Sequence, residues 1–297
     1  MPNVLTLSMD IRLVFVSVAL AGVLIGTVFD LKARWVPDYV NYFMIFFGLA
    51  GHAIISLQEN SIWPFAYSLI AVGILYVLSA VLFYAGAWGG GDAKMLIGLG
   101  ALLATVPNLV FMQDFPIQWP FLITLWTNTL IFGAAIGFVG TFYLAAKHFS
   151  SFKKEFKILS VKTKLFLIPI MLLFPISYYF EKSFVIFPFA ILILFVLFLV
   201  FKSVENACMY KFIAPKKLVE GDWVVDEVKI AGTHYKPNKS GIEKKDILKL
   251  IELESLGKLE KIKIKEGLPY VPAFMLGLLA SLFYGDLMFK LLNLFFA

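Results

Sequence analysis

The chain has 297 residues, of which 60% are apolar and only 15% charged, and its mean hydropathy is +0.85. Soluble domains average about 45–50% apolar and about 25% charged, and the excess here lies in long runs, which excludes a water-soluble globular fold. The single cysteine, Cys208, excludes an intrachain disulfide framework and a Cys-x-x-Cys zinc pair, and no nucleic-acid-reading motif accompanies the net charge of +6.

The pattern predicts an all-α polytopic membrane protein with about eight transmembrane helices. In chain order they are residues 11–29, 38–57, 64–87, 93–111, 120–146, 165–180, 183–201 and 268–289. The first has no basic cluster before it and no small-x-small site after it, so it reads as a retained helix rather than a cleaved signal. The sixth and seventh are separated only by Glu181-Lys182, and a re-entrant pair is the alternative there.

Charge orients these spans. With the amino terminus outside, all but Arg12, Lys182 and Lys290 of the 26 Lys and Arg residues fall on the cytoplasmic side. The opposite orientation would invert the positive-inside bias. The expected location is therefore the plasma membrane, with the basic residues facing the cytoplasm and within reach of anionic headgroups.

Residues 202–266 are the one sizeable polar segment, expected to be a soluble cytoplasmic α+β insert between membrane parts 1–201 and 267–297. Within it, 223–230 reads as a strand. Ser240-Gly241-Ile242-Glu243 matches a capping box opening a helix to about Leu256, Gly257 is placed to stop it, and Lys261–Lys265 alternates as a short strand. A connector or assembly surface and a substrate-handling unit are both open readings for this insert.

Acids in or beside membrane spans are costly, and two stand out: Asp30 at the inner end of the first span and Asp92 at the start of the fourth. The charge-derived topology brings both to the same side at similar depth. Two such carboxyls suit hydrolysis of an amide. One acts as base on a water, and the other, protonated, polarises the carbonyl and then helps protonate the amine. The pair shares a proton, needs no metal and titrates as a unit. The bland alternatives are an interfacial Asp after a helix and an N-cap Asp after a glycine turn. The three glycines of Trp88-Gly89-Gly90-Gly91-Asp92 would permit positive φ or a close approach by another chain.

Gly89-Gly90-Gly91-Asp92-Ala93-Lys94-Met95-Leu96 resembles the Gly-x-Gly-Asp motif of the type IV prepilin peptidases. Asp30-Leu31-Lys32-Ala33-Arg34-Trp35-Val36-Pro37-Asp38 is similar to the segment around that family's first catalytic Asp. Gly267-Leu268-Pro269-Tyr270-Val271-Pro272 is similar to the start of its last helix. The resemblance implies a GxGD aspartic membrane peptidase with Asp30 and Asp92 as the catalytic pair and Gly89 and Gly91 shaping the site. Its substrates would be prepilin-like or preflagellin-like proteins with a short class III-type leader, cut at the cytoplasmic membrane face before assembly into a pilus or archaellum. Bacterial bifunctional members carry a Cys-x-x-Cys zinc domain after the first span, which this chain lacks. The chain is closer to archaeal-type enzymes, and no cofactor is implied.

Lys94 would tune the pair or hold substrate, or simply snorkel to the interface. Arg34 and Asp38 would bind the leader or pair across the turn. Pro269 and Pro272 are structural residues beside the site. His52, His148 and His234 are scattered, which argues against a metal site, and Gly98, Gly100, Gly133 and Gly137 read as packing residues. Competing functions are a presenilin-like protease, a transporter and a non-catalytic assembly platform. The first pairs its Gly-x-Gly-Asp with an acid on the preceding span, and the second predicts acids near the bilayer midplane. Only an activity measurement excludes the third.

Overall fold

The computed structural model describes residues 4–105, 120–230, 233–238 and 241–296. The helices are α1 (Val4–Ala33), α2 (Asp38–Gln58), α3 (Trp63–Tyr84), α4 (Gly90–Leu103), α5 (Phe121–Lys147), α6 (Phe149–Thr163), α7 (Leu167–Phe180), α8 (Ile186–Cys208), α9 (Lys244–Ser255), α10 (Val271–Phe283) and α11 (Leu287–Phe296). The strands are β1 (Tyr210–Ile213), β2 (Trp223–Val224), β3 (Val228–Ile230), β4 (Thr233–Tyr235) and β5 (Ile262–Lys265). The chain divides into two compact units, one within Met1–Gly137 and Leu268–Ala297 and one within Phe138–Gly267.

Among the described residues, six helical segments are long and apolar enough to cross a membrane: Ile11–Ala33, Asp38–Gln58, Trp63–Tyr84, Phe121–Lys147, Phe149–Phe180 and Lys182–Cys208. The expected span 93–111 corresponds to α4 as far as Leu103, and residues 106–119 lie outside the described residues. The expected span 268–289 is two helices. Gly285, at φ +73, breaks the run between α10 and α11. A break inside an apolar bundle frees backbone groups that must find partners. Buried Asn128 of α5 supplies them: its amide nitrogen donates to Gly285 O (2.8 Å) and Ser281 Oγ (2.9 Å), and its oxygen accepts the Leu287 N–H (3.0 Å).

In the first unit the turn after α1 is tight. Arg34 adopts φ +59 and donates its N–H to Asp30 O at 3.0 Å, a left-handed closure that non-glycine residues seldom adopt. Pro37 then caps α2 in extended geometry, with Asp38 in the first turn, where its charge faces the positive helix end. The helix α1 runs antiparallel to α2, since Phe15 meets Gly51 and Gly22 meets Met44. The helices α2 and α4 run parallel, with Asp38 beside Lys94 and Gly48 against Ala101. The helix α4 is the centre of the core. Met95, Leu96, Leu99, Leu102 and Leu103 are all buried and pack with Phe15, Met44, Phe274 and Leu278.

The second unit contains α6 and α7 packed on α8, followed by the polar segment. There the antiparallel sheet has the order β1-β5-β2, and β3 and β4 form a separate hairpin. Its own core joins Val224, Ile242, Ile247, Leu250, Leu253, Ile262 and Ile264. The strand expected over 223–230 is two strands in different sheets. The helix expected from the Ser240 box begins at Lys244 with Glu243 as its N-cap, and Ser240 lies outside the described residues. Gly257 follows the helix at φ +69, as a C-terminal glycine does. The basic stretch 147–164, expected as a connecting segment, is mostly the helix α6.

Two outcomes are expected. A Cβ on Gly48 would sit 2.5 Å from the Ala101 carbonyl carbon, so Gly48→Val prises α2 from α4. The loss should be about 1–3 kcal/mol, read as a lower unfolding temperature in detergent. In the polar segment, burial pushes the Asp222 carboxyl above its ordinary 3.8. The Val219 N–H that it accepts opposes this, and the Glu266 charge adds to it. A carboxyl raised on folding contributes stability below the unfolded value and loses it as pH rises through the folded one. Asp222→Asn should therefore slow hydrogen exchange in β2 and β5 at pH 7 and leave it unchanged below pH ~4.

Candidate active site

The antiparallel α1–α2 turn and the parallel α2–α4 pair gather the end of α1 and the starts of α2 and α4 at one end of the bundle. The start of α10 joins them there. Asp30 lies in the last turn of α1 and is 7% exposed. Its Oδ2 accepts the backbone N–H of Val271, the first residue of α10, at 3.0 Å. Pro272 follows in the first turn of α10, where a missing N–H costs nothing because first-turn donors have no helical acceptor. The Val271 N–H is one of those free donors, so the helix start and the carboxyl complete each other.

Asp92 is the third residue of α4. Its Oδ2 accepts the Gly89 N–H at 3.0 Å, the back-bonding half of a capping box. The expected N-cap role thus falls to Gly89, in extended conformation, and the Asp92 carboxyl turns back over the helix start. Asp92 lies within the electrostatic reach of Asp30. Both carboxyls stand at positive helix ends, Asp30 at α10 and Asp92 at α4.

The glycines serve close approach rather than positive φ. None of Gly89, Gly90 and Gly91 has a left-handed φ, and a Cβ on Gly91 would lie 3.1 Å from Val36 Cβ. The segment before Asp92 therefore rests directly on the segment after Asp30. Lys94 does more than reach for the interface. Its Nζ pairs with Asp38 Oδ1 at 2.7 Å and lies 5.4 Å from the Tyr42 ring centroid. Asp38 is thus held by Lys94 and not by Arg34, which is exposed and whose charge acts on Asp30.

The sequence reading took Pro269 and Pro272 from the last motif and passed over the tyrosine between them. Tyr270 lies within the electrostatic reach of Asp92. Its ring centroid is 5.1 Å from that of Trp88 and 5.6 Å from that of Phe274, and Trp88 meets Trp126 at 5.6 Å. Gly133 makes room for this ring, since a Cβ there would sit 2.5 Å from the Tyr270 hydroxyl oxygen. Consecutive residues 270 and 271 therefore bear on the two acids in turn. An aromatic at the start of a short apolar helix, flanked by prolines, was the available signal.

Two of the three histidines have structural partners. His52 stacks on Phe15 and bonds Gly48 O (2.7 Å) and Thr105 Oγ1 (2.9 Å), and His234 pairs with Glu227. Gly98 and Gly100 abut Met44 and Leu75, whereas a Cβ on Gly137 would meet nothing within 4 Å. Among the described residues no group of three His, Cys, Asp or Glu side chains could hold a metal ion.

The Lys94–Asp38 pair is part-exposed, at 34% and 55% for its two side chains. Exposed pairs contribute about 0–1 kcal/mol. Lys94→Met should shift the unfolding midpoint in detergent far less than Gly48→Val does.

Comparison with known proteins points the same way. Residues 17–138 match the type IV leader peptidase family. A preflagellin peptidase from Methanocaldococcus jannaschii is 32% identical over 108 residues, covering 33% of this chain and 46% of that protein. One from Methanococcus maripaludis is 36% identical over 110 residues, again 33% and 46%. The prepilin peptidase EppA of Methanothermobacter thermautotrophicus is 29% identical over 129 residues, 41% of this chain and 34% of its own length. The chain spans about half the length of the first two of these relatives. No solved structure matches. The matched region holds Asp30, Asp38, Gly89, Gly91, Asp92 and Lys94, and the likeness read from the motifs is borne out as one to the type IV leader peptidase family.

Proposed function

We propose that this chain is a membrane aspartic endopeptidase that removes the short leader of prepilin-like or preflagellin-like proteins, with Asp30 and Asp92 as the catalytic pair. The observation that carries this is the convergence of two carboxyls, distant in sequence, on one end of an apolar bundle, inside the segment that resembles leader peptidases. Close carboxyls share one proton. The ionised member takes a proton from water as the water oxygen attacks the scissile carbonyl, and the protonated member donates to the carbonyl oxygen. Collapse of the tetrahedral intermediate, with a proton passed to the leaving nitrogen, gives the leader with a free carboxylate and the mature subunit with a free amine.

In this reading α4 and α10 join the six longer apolar helices to make eight membrane helices. The dyad end and residues 202–266 face the cytoplasm, the side favoured by the distribution of Lys and Arg. A class III-type leader is short and charged and would meet Arg34 and the Lys94–Asp38 pair at the mouth of the site. Its apolar segment would lie in the bilayer beside the bundle. Residues 202–266, with their own core, form the soluble insert, and residues 1–201 and 267–297 form the membrane part. Gly91 brings the Asp92 backbone close to Val36, Gly89 donates its N–H to Asp92, and Pro269 and Pro272 frame the Val271 donor.

The test is cleavage of a panel of prepilin-like and preflagellin-like substrates in membranes. Asp30→Asn and Asp92→Asn should each lower the rate by at least about 10²–10⁴-fold while remaining inserted. Full activity in either variant sinks the dyad, and an inert wild type on every substrate sinks the peptidase reading. Tyr270→Phe removes only the hydroxyl, which lies within the electrostatic reach of Asp92. It should lower kcat more than it raises KM and leave the unfolding temperature within a few degrees of wild type.

A further inference from the structure

Outside the dyad, the junction of α6 and α7 presents an unpaired basic surface at the edge of an apolar helix. The two helices are joined by a short 3-10 turn, Lys164–Phe166. Together they form a 32-residue segment, Phe149–Phe180. At ~1.5 Å per residue that is roughly 48 Å, against a hydrocarbon core of about 30 Å. The apolar share lies in α7, so α6 emerges into the headgroup region. Phe152, Phe156, Leu159 and Thr163 are half-buried at helical spacing, and α6 packs on α8. The exposed side carries Lys153, Lys157 and Lys164 in one stripe, with Lys154 beside it and Lys162 at the far edge of the exposed side.

Among the described residues none of these five lysines enters an ion pair, although lysines on α8 and in the polar segment do. The one acid within α6, Glu155, is half-buried and forms no ion pair among the described residues either. Directly beyond Lys164 the surface turns apolar: Leu165, Ile168 and Leu172 are 67%, 56% and 58% exposed. Cationic heads above an exposed aliphatic strip match the two parts of one kind of molecule.

We propose that the α6–α7 junction is a binding site for an anionic phospholipid. Its phosphate is held by Lys157 and Lys164, with Lys153 one turn above, and its acyl chains lie along Leu165, Ile168 and Leu172. Long lysine stems reach up from the apolar boundary to the phosphate level. A headgroup without net charge leaves the lysines unneutralised, and a free phosphate leaves the strip uncovered. Charge complementarity therefore selects an anionic lipid.

The test uses the full chain in nanodiscs of mixed phosphatidylglycerol and phosphatidylcholine, with retained lipid read by native mass spectrometry. Wild type should retain phosphatidylglycerol over phosphatidylcholine. The triple variant Lys153→Gln, Lys157→Gln, Lys164→Gln should lose that preference at least threefold. A control removing equal charge from the polar segment, Lys217→Gln, Lys244→Gln, Lys258→Gln, should keep it. Equal retention of both lipids by wild type overturns the site, as does an equal loss in both variants. Displacement of the lipid by millimolar inorganic phosphate also overturns it, because the lysines would then be serving a free anion. None of these readouts depends on peptidase activity.

Discussion

A carboxyl group buried in an apolar bundle needs a donor that the bundle can spare. Helix starts are the natural source, because the first backbone N–H groups of a helix have no acceptor within it. Asp30, almost fully enclosed at the end of α1, takes one such donor from Val271 at the start of α10. Leaving either group unpaired would cost about 1–3 kcal/mol or more. That single bond joins residues 241 positions apart. It ties the start of α10 to the end of α1 and fixes which end of the bundle the α10 start must occupy.

The other features follow from holding that end together. The sharp Arg34 closure and the Pro37 cap return the chain at once into α2, so that Val36 lies beneath Gly91. With no side chain at Gly91, the start of α4 settles on that turn and carries Asp92 towards Asp30. Lower in the bundle, Gly48 lets α2 touch the α4 backbone, which keeps the two helix starts in register. Gly133 admits the Tyr270 ring, and Trp88 packs against it. Two acids, three helix starts and one aromatic cluster thus meet at one end of the bundle.

Much of this was legible because membrane segments leave few options. Runs of apolar residues gave the helices, and the prolines and glycines at 37, 64 and 257 marked real boundaries. The charge count brought Asp30 and Asp92 to one side without reference to either acid. Interactions that depend on geometry between helices were hidden. Asp38 faces Lys94 across α2 and α4, although sequence proximity suggested Arg34. The break at Gly285 is tolerated only because Asn128, on another helix, bonds both sides of it, so hydropathy alone reads one continuous span. The Ser240 box matched a local pattern, yet the helix starts at Lys244, where Ile247 and Leu250 enter the core of the polar segment. Tyr270 was passed over because its role comes from neighbours on three separate segments.

The central claim is that Asp30 and Asp92 act as one coupled pair. Infrared difference spectroscopy of the carboxyl stretch in membranes reads this directly, by titrating wild type alongside Asp30→Asn and Asp92→Asn. Coupling predicts that removing either acid changes the titration of the one that remains, collapsing two linked steps into a single step at a new position. If the remaining carboxyl titrates in each variant as it does in wild type, the two acids are independent, and the account of a shared catalytic proton is wrong.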